Sequence, residues 1–190
     1  AMGVYLGKQS AMQLASQEFN LDLYAKAFVD AVKDAPLLMS VDSCVVFLNK
    51  YEKRVREQEA AENRKKEEEF LAANAKREGV IQTESGLQYE VVKMGEGEKP
   101  TASSKVKVNY EGFLLNGKKF DSSIDRGQPA QFALNRVISG WTEGLQLMPV
   151  GSKFTFYIPY KLAYGEHGAG SVVPPYSTLI FEVELIEIIK

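Results

Sequence analysis

Apolar residues recur at helical spacing through residues 1–78 and alternate in strand fashion from residue 80 onward. Tyr5, Met12, Leu14 and Phe19 form a rough helical stripe, which Asn20 to Asp22 interrupts. Asp22 is placed to cap a second helix with apolar positions Leu23, Ala27, Phe28, Ala31 and Val32. Asp34-Ala35-Pro36 ends it, because the residue before a proline is driven out of the α region. Ser40 then holds the N-cap position of a third helix, with Asp42 in the first turn where its charge suits the helix dipole.

This third helix changes character along its length. Val41, Val45 and Leu48 share a face, with Cys44 beside them, so the opening turns can pack. From Glu52 to Glu69 most residues are charged, and only Val55 is bulky and apolar. No heptad seam persists there, which argues against a coiled coil. Glu52–Arg56, Lys53–Glu57, Glu62–Lys66, Arg64–Glu68 and Lys65–Glu69 are pairs four apart, each worth about 0.2–0.5 kcal/mol. Phe70, Leu71 and Ala75 restore apolar character before Glu78-Gly79. The pattern predicts one helix over about residues 41–77, roughly 55 Å long, whose charged middle bridges solvent.

After Gly79 the chain is rich in β-branched and aromatic residues, and strands are predicted at 87–94, 105–115, 118–120, 131–134, 153–158 and 178–188. Val106, Val108 and Tyr110 point one way, and Lys105, Lys107 and Asn109 the other. Asn116-Gly117 supplies two φ > 0 residues for a tight hairpin, whose return strand delivers Phe120 and Asp121 side by side. Residues 95–100 form a loop and 139–147 a short helix. The fold class is therefore α+β: an all-α domain with a long connecting helix over 1–78, then an antiparallel sheet packed on a short helix over 79–190.

Composition narrows the function. A net charge of −2 argues against nucleic acid or an anionic membrane as the main partner. The single cysteine, Cys44, excludes an internal disulfide framework and a Cys-based zinc site. No apolar run approaches the roughly 18 residues of a transmembrane segment. No signal-peptide pattern is visible, yet the chain opens inside a helical pattern, which points to a removed leader. His167 has no second His or Cys nearby to make a metal site. Its glycine-rich loop follows a tyrosine rather than a strand-to-helix phosphate turn, so no nucleotide or other cofactor is expected. Aromatic and aliphatic residues with one carboxylate and one phenol suit a small, apolar, carbonyl-bearing ligand, and no nucleophile stands with a base.

Five ordered segments carry a resemblance: Tyr110-Glu111-Gly112; Gly117-Lys118-Lys119-Phe120-Asp121-Ser122-Ser123; Val137-Ile138-Ser139-Gly140-Trp141-Thr142-Glu143-Gly144; Leu162-Ala163-Tyr164-Gly165; and Pro174 through Val183. Together they closely resemble the FK506-binding proteins (FKBPs), macrolide-binding peptidyl-prolyl cis–trans isomerases. The match covers nearly all of residues 80–190. The amino-terminal half resembles, by architecture more than by motif, the dimerisation module of the bacterial Mip-like branch.

The resemblance implies a five- or six-stranded half-barrel over a short helix, with the substrate proline between them. It puts Trp141 at the floor of the pocket and Tyr110, Phe120, Val137, Ile138 and Phe181 in its walls. Asp121 stands beside the reacting amide, while the Tyr164 hydroxyl and the Ile138 N–H meet substrate carbonyls. Arg126 braces Asp121 and Tyr110, and Val172 and Val173 belong to an overhanging loop. Ala130 departs from the family, where a pocket phenylalanine is common.

The implied function is isomerisation of Xaa–Pro bonds in protein folding, with chaperone activity. Proline-containing peptides, unfolded clients and macrolides such as FK506 and rapamycin are the partners, and a homodimer forms through the amino-terminal helices. The alternative is a proline-segment-binding chaperone or interaction module without significant catalysis. A periplasmic or envelope location is expected, with cytoplasm the other option. Residues 80–190 alone are expected to be nearly as active as the whole chain on short peptides.

Overall fold

Asn20, rather than Asp22, caps the first described helix, α1 (Leu21–Val32): its side-chain oxygen accepts from the Leu23 N–H at 2.9 Å. Asp22 falls instead in the first turn, where its charge still complements the dipole. The structure, a computed structural model, describes Lys8 and residues 20–189. Apart from Lys8, the helix expected before Asn20 lies outside the described residues. Asp34, at φ 52, turns the chain ahead of Pro36. Ser40 caps α2 (Val41–Asn74) by accepting from the Ser43 N–H at 3.2 Å. Of the expected pairs, Lys53–Glu57, Glu62–Lys66 and Lys65–Glu69 form at 3.9, 3.1 and 3.8 Å. All are exposed, so each adds little.

The chain divides into two compact units, Ala1–Glu52 and Lys53–Lys190. In the described part of the first, Leu21, Leu23, Phe28, Val32, Val45, Phe47 and Leu48 are each at least half exposed, and Cys44 is a half-buried free thiol.

The second unit contains the later turns of α2, so the packing boundary falls near residue 52 rather than 78. Here the predicted solvent-bridging span is corrected. Ala60, Glu67 and Asn74 are buried seven residues apart on one face of α2. Phe70 on that face packs against Tyr157 with ring centroids 5.8 Å apart. Asn74 Nδ2 donates to Gln88 Oε1 at 2.8 Å, and Gln88 Nε2 donates to the Leu71 carbonyl at 3.0 Å. A face built of amides and a carboxylate carries no apolar periodicity, which is why the pattern did not predict burial.

The rest of the unit is one antiparallel sheet: β1 (Val80–Gln82), β2 (Gln88–Lys93), β3 (Lys105–Leu114), β4 (Lys119–Ser122), β5 (Ala130–Ala133), β6 (Lys153–Ile158) and β7 (Leu179–Ile189). The order is β1-β2-β6-β7-β3-β4, with β5 also paired to β3. Among the described residues seven strands form, where five or six were expected. The short β1 runs against β2 with Ile81 opposite Tyr89.

β3 alternates as expected, with Val106, Val108, Tyr110, Gly112 and Leu114 buried. The β3–β4 connection is not the expected pair of φ > 0 residues. Only Gly117 is left-handed, at φ 80, and its N–H donates to the Leu114 carbonyl at 2.9 Å. Asn116 instead uses its side chain, accepting from the Lys118 N–H at 3.0 Å. The short helix α3 (Ser139–Leu145) buries Trp141 and Leu145 in the same core as Val108, Phe154, Phe156 and Leu185.

Candidate active site

Three strand registers bring the aromatic residues together. Tyr110 of β3 lies opposite Val183 of β7, Gly112 lies opposite both Phe181 and Asp121, and Phe156 of β6 lies opposite Phe181. Gly112 has to lack a side chain: a Cβ there would sit 2.7 Å from Phe181 Cε1 and 2.8 Å from Phe120 Cζ. Phe120 and Phe181 use that space to meet edge-on, with centroids 5.4 Å apart.

Trp141 is the hub. Its ring is met nearly at right angles by Tyr110 at 5.1 Å, Phe132 at 5.3 Å and Phe181 at 5.1 Å. Among the described residues the buried indole N–H has no hydrogen-bond partner. The helix entrance fixes the ring, since the Trp141 and Thr142 N–H groups both donate to the Ile138 carbonyl, at 2.9 and 3.1 Å.

These residues enclose a cleft of about 380 Å³ lined by Tyr110, Asp121, Phe132, Arg136, Val137, Ile138, Trp141, Tyr164 and Phe181. Seven of the sequence-predicted residues therefore meet at one cavity. Phe120 and Arg126 stand behind the lining, Phe120 against Phe181 and Arg126 against Asp121. Val172 is exposed and Val173 belongs to the buried core; neither lines the cleft.

Phe132 and Arg136 are lining residues that the sequence reading did not name. The signal for Phe132 was its place two residues after Ala130, hence on the same face of β5. Phe132 lines the cleft and Ala130 does not. Arg136 follows from no periodicity, because it ends a single 3₁₀ turn, Leu134–Arg136.

The polar side of the cleft is a locked triangle. The Tyr110 hydroxyl donates to Asp121 Oδ2 at 2.5 Å, while Arg126 donates through Nη1 to Asp121 Oδ1 and through Nη2 to the Tyr110 oxygen at 2.8 Å. Burial pushes the Asp121 carboxyl up, but the Tyr110 hydroxyl and the Arg126 guanidinium outweigh it and hold the group below the ordinary carboxylate range. Burial, then the bond to Asp121, pushes the Tyr110 phenol up to about 12 despite the opposing arginine. Tyr164 is also raised, by burial and then by the Asp121 charge. The site thus holds one carboxylate and two neutral phenols across the physiological range. Ser122, not Asp121, caps the next turn by accepting from the Asp125 N–H at 3.1 Å. Both Asp121 oxygens accept within the triangle.

Such a site can desolvate and grip an apolar ring and its flanking carbonyls, and it presents no nucleophile–base pair or metal cluster among the described residues.

Comparison with known proteins agrees with this geometry. Residues 96–186 match the family model described as FKBP-type peptidyl-prolyl cis-trans isomerase, and residues 1–91 match that of the domain amino terminal to it. The chain is 51% identical to the FKBP-type peptidyl-prolyl cis-trans isomerase FkpA of Aeromonas hydrophila, over all of this chain and 75% of that protein. It is 39% identical to the outer membrane protein MIP of Legionella longbeachae, over all of this chain and 84% of that one. The crystal structure of FkpA from Escherichia coli superposes with a TM-score of 0.76 at 38% identity, covering 98% of this chain and 92% of that one. With a cleft of aromatic rings meeting edge-on beside a braced carboxylate, and relatives that match its whole length, the chain belongs to the FKBP-type peptidyl-prolyl cis–trans isomerases.

Proposed function

We propose that the cleft isomerises Xaa–Pro bonds by desolvation and orientation, with Trp141 beneath the proline ring, Tyr110, Val137, Ile138 and Phe181 around it, and Phe120 supporting Phe181 from behind. The observation that carries this reading is an aromatic cavity of about 380 Å³ whose carboxylate, Asp121, is already ion-paired with Arg126.

Rotation about the amide faces about 18–20 kcal/mol because the C–N bond is partly double. The twisted transition state has lost conjugation and is less polar at the amide, so an apolar enclosure stabilises it relative to the planar ground state in water. Lowering the barrier by about 5–6 kcal/mol gives roughly a 10⁴-fold acceleration. The Tyr164 hydroxyl and the Ile138 N–H hold flanking carbonyls, which limits rotation to the bond in question. The locked triangle keeps Asp121 charged and in place beside the amide.

Proline-containing peptides and unfolded proteins are the substrates, and macrolides such as FK506 and rapamycin compete for the same cleft. The exposed apolar faces of α1 and of the opening turns of α2 support a homodimer, because so much apolar surface is buried best against its own copy. Two joined copies offer two pockets to one client, which raises avidity without a new contact and supports a chaperone role. Among the described residues no helix is long and apolar enough to cross a membrane. The outer-membrane naming of the Legionella relative supports an envelope location.

The test is a prolyl-peptide isomerisation assay. Asp121→Ala and Phe120→Ala are expected to lower kcat/KM tenfold or more while circular dichroism stays native. Wild-type rates in both would remove the cleft from the mechanism. Sedimentation of the full chain as a monomer at micromolar concentration would sink the dimer.

A further inference from the structure

The buried carboxylate of Glu67 is not used by the mechanism above. It is 9% exposed, on the face of α2 that packs against the sheet unit. One oxygen, Oε2, accepts from the Tyr160 N–H at 2.8 Å and from Thr178 Oγ1 at 2.6 Å. Among the described residues no cation lies within ion-pairing distance of it, although Glu62 and Glu69 on the same helix are paired. An apolar side chain in its place would leave the Tyr160 N–H and the Thr178 hydroxyl without their acceptor. Its location is more telling than its energy.

Tyr160 and Thr178 are the two feet of the segment that carries Tyr164. From Tyr160 the chain makes a 3₁₀ turn, Tyr160–Leu162, and the Tyr160 carbonyl accepts from Ala163 N–H at 3.0 Å and Gly165 N–H at 2.9 Å. These bonds close directly around Tyr164. On the returning side, Tyr176 N–H donates to the Gly165 carbonyl at 3.1 Å, and the Tyr160 and Tyr176 rings meet at 4.9 Å. Two further groups of α2 grip that side. The Arg64 guanidinium lies 4.1 Å from the centre of the Tyr176 ring, and Asn63 Nδ2 donates to the Pro175 carbonyl at 2.8 Å. Tyr176 itself is left-handed at φ 55, a conformation a bulky residue adopts only where its surroundings impose it.

We propose that Glu67 is a positioning residue of the isomerase site: by joining Tyr160 to Thr178 it fixes both feet of this segment and so sets the Tyr164 phenol at the cleft. The proposal rests on the reading of Tyr164 as the hydroxyl that holds a substrate carbonyl. It makes the connecting helix part of the substrate-binding apparatus.

The test uses the full chain and an Xaa–Pro peptide, with kcat and KM measured separately for Glu67→Ala, Glu67→Gln, Tyr164→Phe and the double variant Glu67→Ala/Tyr164→Phe. Glu67→Ala is expected to raise KM about fivefold with kcat within twofold, and Tyr164→Phe to show the same split. The double variant is expected to be no worse than Tyr164→Phe alone, because both changes remove one interaction. Glu67→Gln should restore KM, since an amide oxygen accepts from the same two donors. If Glu67→Ala does not fold at the assay temperature, Thr178→Val removes one of the two bonds and takes its place. A wild-type KM for Glu67→Ala beside an impaired Tyr164→Phe overturns the positioning role alone. Losses that multiply in the double variant, or a Glu67→Gln as impaired as Glu67→Ala, also overturn it. Tyr164→Phe with wild-type constants overturns the role of Tyr164, and the positioning role with it.

Discussion

Cutting the chain at residue 53 or at residue 80 tests whether the later turns of α2 are structural to the catalytic unit. A fragment of residues 53–190 keeps the whole second unit. A fragment of residues 80–190 keeps every strand but loses the helix face. It forfeits the bonds of Glu67 to Tyr160 and Thr178, of Asn63 to Pro175, and of Asn74 and Leu71 to Gln88. The groups left behind become accessible to water, so each bond is worth only about 0.5–1 kcal/mol net. The half-buried Phe70 against Tyr157 adds about 1–2 kcal/mol, less than the value for a fully buried ring. Together these amount to roughly 3.5–7 kcal/mol, a large share of the 5–15 kcal/mol that holds a domain folded. At about 4 °C per kcal/mol for a domain of this size, the shorter fragment should melt roughly 14–28 °C lower. Calorimetry on both fragments measures the difference, with urea midpoints as a second reading of the same quantity. Melting within about 3 °C of each other, on the same size scaling, would refute the packing argument and return the domain boundary to residue 78. The shorter fragment is now expected to bind peptides more weakly than the whole chain, in place of the near-equal activity that the sequence alone suggested.

Other predictions concern the cleft. Arg136 lines it, is exposed and has no ion pair among the described residues, while the other arginine at the site, Arg126, is committed to Asp121. Peptides with glutamate next to proline should therefore be turned over several-fold better than those with lysine, with the preference reversed in Arg136→Glu and weakened by salt; an unchanged ratio in the variant rules this out. Because Asp121 is held below the carboxylate range and Tyr110 is raised to about 12, kcat/KM should be flat from about pH 5 to 9, and a bell-shaped profile would contradict the assignment. The depressed Asp121 contributes stability above its unfolded value of about 3.9, lost as pH falls through the lower folded value. Asp121→Asn should thus be less stable than wild type at pH 7, by a margin that shrinks in acid melts. The raised Tyr110 contributes stability that is complete below about pH 10 and lost as pH rises toward its folded value. Ala130→Phe should tighten macrolide binding by extending the wall that Phe132 begins, with little change in isomerase rate; weaker binding by calorimetry would show that Ala130 faces elsewhere.

The sequence alone determined whatever depends on near neighbours. Alternation through Val106, Val108 and Tyr110 put the β3 side chains on the right face, because a strand's two-residue period is local. Ser40 capped its helix as expected, since a cap bonds only three residues ahead. The lining residues Tyr110, Asp121, Val137, Ile138, Trp141, Tyr164 and Phe181 were named from ordered motifs, whose spacing survives without any knowledge of the sheet. Tertiary structure decided everything that depends on distant partners. β3 lies between β7 and β4, and no local pattern encodes that Tyr110 faces Val183. The three-residue β1 is too short to show alternation and exists because β2 offers it an edge. Arg136 enters the cleft only because a 3₁₀ turn aims it there. Glu67 is the sharpest case. In sequence it is one charge in a run of charges, which hydrophobic periodicity assigns to water. In the fold its oxygen meets a backbone N–H 93 residues away and a hydroxyl 111 residues away. Burial of a polar group is decided by whether distant donors arrive to satisfy it, and that information belongs to the assembled sheet and helix rather than to the helix itself.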